Sequence, residues 1–143
     1  MSYYMRYIST DALQITLEIL HKELQAVDQR YSVDASGDLK FGDDVYGAVE
    51  INFPDEEVFD EEIQELKEFV EDVRGWKKRE VIKTLNAAKA TVAVQVLSGG
   101  RETNDALEKL SPLWDWLLSN RKGLLQADDE GYYNKSGLIL KVE

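Results

Sequence analysis

Leu13, Leu17, Leu20, Leu24 and Val27 recur at alternating intervals of four and three residues, the spacing that lays one apolar stripe along a helix. Ile15 and Ile19 widen that stripe. Upstream, Tyr3 to Ser9 is aromatic and β-branched, which predicts a strand, and Ser9, Thr10 and Asp11 offer caps for the helix that follows. From Tyr31 the period changes to two. Tyr31, Val33 and Ala35 alternate with polar residues, Ser36-Gly37 marks a turn, and Leu39 and Phe41 resume the alternation. After Gly42-Asp43-Asp44, a longer strand carries Val45, Gly47, Val49, Ile51 and Phe53 on one face and ends at Pro54, which has no N–H to give a ladder.

Helical spacing returns at Ile63, Leu66, Phe69, Val70 and Val73, with Asp60 as the expected cap and Gly75 as the stop. A second helix is expected from Lys77 to about Lys89, carrying Val81, Ile82 and Leu85 inward, with Trp76 lodged between the two. Val92, Val94 and Val96 predict a central strand ending at Gly99-Gly100. Thr103 is the expected cap of a helix striped by Leu107, Leu110, Trp114, Leu117 and Leu118. Ser111-Pro112 inside that pattern predicts a kink or two short helices. Leu124 to Ala127, Tyr132-Tyr133 and Leu138 to Val142, separated by glycine turns, read as a second meander.

These elements predict a single α+β domain over residues 1–143, with a mixed or antiparallel sheet and helices on one face. The stretches 3–53 and 90–142 share an order of strand, helix and meander, with two central helices between them. A duplicated βαββ unit would account for that order, as would the recurrence of turn residues that any hairpin needs.

Charge narrows the function classes. The chain of 143 residues has 28 acidic against 17 basic residues, a formal net charge of −11. That balance disfavours nucleic acid and anionic membrane, whose binding is driven by Lys and Arg neutralising phosphates, and favours a basic partner. Cysteine is absent, which excludes disulfides, thiolate catalysis and cysteine metal sites, and the opening residues do not form a signal segment, so the expected location is cytoplasmic.

Candidate chemistry is sparse. His21 is the sole histidine, and although Glu18 gives it a Glu-x-x-His spacing, a di-iron helix pair needs a second such motif. Gly99-Gly100-Arg101 sits between strand and helix as a phosphate loop would, but lacks the glycine spacing of either known phosphate-binding pattern. The acidic turns at Asp34 to Asp44 and Asp128 to Glu130 lack the spacing of a calcium loop, so neither metal nor cofactor is expected. No nucleophile, base and orienting group can be assembled, which leaves catalysis unexpected.

Residues Asp55 to Asp72 hold ten carboxylates and one lysine, followed at once by Arg74, Lys77, Lys78, Arg79 and Lys83. The charges of the two stretches would pair across the turn if this were a solvated face and nothing more. The alternative is a docking strip for a basic protein, of the size and charge of inhibitor or immunity-type proteins. Glu61, Glu65 and Glu68 would provide the attraction, and Tyr132 and Tyr133 the aromatic anchors. A rival expectation is a ligand-binding or catalytic groove between the two halves, built on Asp34, Asp128 and Glu130.

Overall fold

The computed structural model describes residues 3–142 and contains one eight-stranded antiparallel sheet. In chain order the elements are β1 (Tyr3–Ser9), α1 (Leu17–Val27), β2 (Tyr31–Val33), β3 (Asp38–Phe41), β4 (Asp44–Asn52), α2 (Glu57–Glu71), α3 (Lys78–Asn86), β5 (Ala90–Val96), α4 (Thr103–Asn120), β6 (Gly123–Ala127), β7 (Gly131–Asn134) and β8 (Gly137–Lys141). The strands lie side by side as β2-β3-β4-β5-β1-β6-β7-β8. β1 therefore sits in the middle, pairing Tyr7 with Val92 of β5 on one side and with Leu125 of β6 on the other.

The α+β class is the expected one, but the helices are divided between both faces of the sheet. Tyr7, Val92, Val94 and Leu125 share a core with Leu20 and Leu24 of α1 and Leu110, Leu113, Trp114 and Leu117 of α4. Their neighbours Ile8 and Leu124 enter a second core with Phe59, Ile63, Leu66 and Val70 of α2 and Val81 and Leu85 of α3. Successive residues of a strand point to opposite faces, so an apolar pair such as Tyr7-Ile8 or Leu124-Leu125 needs cover on both. The sequence alternation of β5 concealed the same need, because Ala90, Thr91 and Ala93 are buried along with its valines.

The strand order does not read the same when the two halves are exchanged. The first meander joins the centre through its last strand, β4, whereas the second joins through its first strand, β6.

Local chemistry explains the other departures. α1 starts at Leu17 because the Thr16 hydroxyl accepts the Ile19 N–H at 3.1 Å. Asp11 is occupied elsewhere, accepting from Leu13 N at 2.8 Å and Lys122 N at 3.2 Å, and this holds the preceding loop against the start of β6. Leu13 and Val27, at the ends of the expected stripe, are exposed. α2 starts at Glu57, ahead of Asp60, and Thr103 is the first residue of α4 rather than its cap.

Pro112 lies inside an unbroken α4. Ala106 and Leu110 before it, and Leu113, Trp114 and Leu117 after it, are all buried against one face of the sheet. The carbonyl left without its helical donor belongs to Glu108, an exposed residue where water can take the missing bond.

Candidate functional site

Arg6 is the charged residue at the centre of the sheet. On β1 it lies two positions from Ile8 and so faces α2, with Ala93 and Gln126 as its cross-strand neighbours. Its Nε donates to Glu62 Oε2 of α2 at 2.7 Å, and its Nη1 donates to Gln126 Oε1 at 2.8 Å and Asp128 Oδ1 at 3.0 Å. The surrounding acceptors are held in turn. Thr91 Oγ1 donates to Glu62 Oε1 at 3.0 Å, Gln126 Nε2 donates to Asp128 Oδ1 at 3.1 Å, and Tyr4 N–H donates to Asp128 Oδ2 at 3.2 Å.

The Arg6 and Glu62 side chains are mostly covered, at 16% and 15% exposure. Burial works against the Arg6 charge, but the bond to Glu62 and the fields of Glu62 and Asp128 outweigh it and hold its pKa above the ordinary value. A charge this well sheltered stays in place because each of its ion-pair partners is itself hydrogen-bonded.

Beside this network, α2 and the sheet leave a cleft of about 390 Å³. Leu66, Val70 and Val142 form its apolar wall, Phe69 and Glu65 stand on α2, and Asp129 lies on the turn between β6 and β7. Tyr132 belongs to the same lining. It is only 2% exposed, packed in the α2 and α3 core, and its hydroxyl has no hydrogen-bond partner among the described residues. Burial pushes its pKa well up, with the fields of Arg6 and Asp128 acting in opposite directions on the phenol.

The predicted carboxylate groove is not assembled. Asp34 lies on the turn between β2 and β3, its Oδ1 accepting the N–H groups of Ser36 at 3.0 Å and Asp38 at 3.1 Å. Those bonds, with that from Asp38 first, lower its pKa. Four strand spacings separate β3 from β6, about 19 Å, so Asp34 does not meet Asp128 or Glu130. Asp128 belongs to the Arg6 network. Glu130 accepts from Tyr3 Oη through one oxygen and from Tyr133 Oη at 2.5 Å through the other.

The predicted docking residues are in part rearranged. Glu61, Glu65 and Glu68 are exposed on α2, and none of them forms an ion pair among the described residues. Glu68 accepts from Gln64 Nε2 at 3.2 Å. The basic stretch beyond does not neutralise them: Lys77 pairs with Glu80 at 3.4 Å, and Lys78 donates to the Glu71 carbonyl. Tyr132 is buried, which removes it as an exposed anchor, and Tyr133 is half-buried with its hydroxyl on Glu130. The exposed aromatics among the described residues are instead Phe53, at 41%, Phe69, at 74%, and Trp76, at 86%, the last two expected inside. Phe59 takes the inward place, because Phe59, Ile63, Leu66 and Val70 keep the four-three-four spacing and Phe69 falls one position off it.

The remaining motifs are structural. His21 Nδ1 accepts the Val33 N–H at 3.0 Å and ties α1 to β2. Arg101 donates to the Leu97 carbonyl at 3.0 Å and lies over the Tyr46 ring at 4.1 Å, closing the glycine loop on its own strand. No group of three or more metal-ligating side chains converges among the described residues, and no helix there is long and apolar enough to cross a membrane. Comparison with protein-family models, curated proteins and solved structures returns no match.

Proposed function

We propose that this domain is a non-catalytic binding module that docks onto a basic protein through the outer face of α2. The observation that carries this reading is that Glu61, Glu65 and Glu68 have no ion-pair partner among the described residues although a basic segment follows α2 directly. Unpaired charge on a rigid helix steers an oppositely charged partner, and Phe69, exposed among these glutamates, supplies the apolar contact that charge alone does not. An inhibitor or immunity-type role is one form such docking takes. The net charge of −11 argues against nucleic acid as the partner.

The test is kinetic. With a partner captured from the source cell, the on-rate is expected to fall as salt rises and to fall again in the Glu61→Gln, Glu65→Gln, Glu68→Gln variant, with no loss of fold stability. Phe69→Ala is expected to raise the off-rate instead. An acidic partner, or an on-rate indifferent to both salt and the triple substitution, would overturn the proposal.

A further inference from the structure

We infer that the cleft between α2 and the sheet receives one arginine side chain of the partner, its guanidinium held between Glu65 and Asp129 and its stem lying on Leu66, Val70 and Val142. The inference rests on the docking reading and specifies the contact at its centre.

Three features of the cleft support it. Its lining has four carboxylates, Glu62, Glu65, Asp128 and Asp129, against the one guanidinium of Arg6. Arg6 occupies Glu62 and Asp128, which leaves Glu65 and Asp129 with no ion pair among the described residues. The lining also includes Tyr132, whose buried hydroxyl feels the charges of Arg6 and Asp128 but has no hydrogen-bond partner among the described residues. A buried polar atom left unsatisfied destabilises the free domain, and a guanidinium N–H reaching it would remove that penalty. The volume of about 390 Å³ leaves room for one arginine side chain.

Arginine fits this lining better than lysine. Its flat, weakly hydrated head stacks on an aromatic ring and offers five donors in a fixed fork, whereas an ammonium keeps its water and has no plane to stack. Phe69 provides the ring, and the two carboxylates and the phenol provide the acceptors. The aliphatic stem covers the apolar wall, as long charged side chains commonly do. Arg6 is a resident precedent, its guanidinium 5.3 Å from the centre of the Tyr4 ring and held by two carboxylates.

The probes are three capped tripeptides, glycine-arginine-glycine and its counterparts with lysine or citrulline at the centre, titrated into the isotope-labelled domain and followed by NMR. Citrulline keeps the shape of arginine and lacks its charge. The arginine peptide is expected to shift the Arg6 Nε–H resonance and the amides of Glu65, Asp129 and Tyr132 together. Loss of both rim charges in Glu65→Gln with Asp129→Asn should weaken it about tenfold. Asn suits position 129 because the backbone φ there is +63°. Glu61→Gln with Glu68→Gln should weaken the arginine peptide far less than the rim pair does, and Tyr132→Phe should weaken it while leaving the domain folded.

Shifts spread along the outer face of α2, with Glu61→Gln and Glu68→Gln as damaging as the rim pair, would overturn the cleft inference and leave the docking reading standing. Equal affinity for the lysine or citrulline peptide would overturn the guanidinium assignment. Absence of any saturable response would overturn the inference outright, and the docking reading would then stand or fall on the salt dependence of the captured partner.

Discussion

Two buried tyrosines should respond to the same substitution with opposite signs. Tyr7 and Tyr132 are both almost fully buried, but Tyr7 Oη donates to the Arg121 carbonyl at 2.6 Å, whereas Tyr132 Oη has no partner among the described residues. Tyr7→Phe removes a buried bond and leaves a carbonyl at the end of α4 short of a donor, which costs about 1 to 3 kcal/mol. Tyr132→Phe keeps the ring that packs on the α2 and α3 core and removes only the unsatisfied atom, so it should stabilise by up to about 1 kcal/mol. In a domain of this size each kcal/mol moves the melting temperature by about 4 °C. Paired urea and thermal melts should therefore separate the variants on either side of the parent, with unchanged denaturant slopes showing that the unfolded states are alike. Equal destabilisation by both would mean that the Tyr132 hydroxyl is bonded in solution and would remove the argument from its orphan state.

Trp114→Ala should cost about 3 to 5 kcal/mol in urea melts, because the indole is buried beneath α4, and Trp116→Ala should cost less because its ring is half-exposed. Asp28 is held down to about 2 by its bonds to the Arg30 side chain and backbone. A depressed carboxyl contributes stability above its ordinary pKa of about 4 and loses it as pH falls toward the folded value. Asp28→Asn should accordingly flatten that acid limb in unfolding curves taken across it. Tyr133 is pushed up to about 12, first by its bond to Glu130 and then by burial. The associated stability is present below the ordinary phenol value of about 10 and disappears as pH rises through the folded one, and in Glu130→Gln tyrosinate absorbance should show Tyr133 titrating earlier.

The elements with strong local periodicity were legible in the sequence, but what covers each of them was less so. β1, β5 and β6 advertised themselves as strands, and the consecutive apolar residues Tyr7-Ile8 and Leu124-Leu125 already carried the signal for cover on both faces. Tyr132 and Tyr133 do point to opposite faces, as alternation requires. Which ring is buried depends on α2 and α3 lying over one side of β7, and nothing local to the pair records that. Phe69 was recoverable, since a strict four-three-four rule selects Phe59. Pro112 misled because the helix-breaking rule is local, whereas the burial on either side of it that keeps α4 whole is tertiary. The Arg6 cleft was the least legible feature. Glu62, Gln126 and Asp128 are remote from Arg6 in the chain, and only the pairing of β1 with β6 and the packing of α2 on the sheet bring them to one guanidinium.

The central position of β1 has a consequence for how the protein is made. During synthesis this strand emerges long before either neighbour, since Ser9 must wait first for Ala90 and then for Gly123. Until then both edges of an apolar ribbon lack partners, and the growing chain has every opportunity to pair with the wrong strand or with another chain. Because the last pairing closes over so long a loop, the sheet is expected to assemble late and slowly, after most of the chain has left the ribosome. A chaperone that shields Tyr3 to Ser9 would protect the nascent protein at its most vulnerable segment, and a chain truncated before β6 should aggregate rather than persist as a smaller fold.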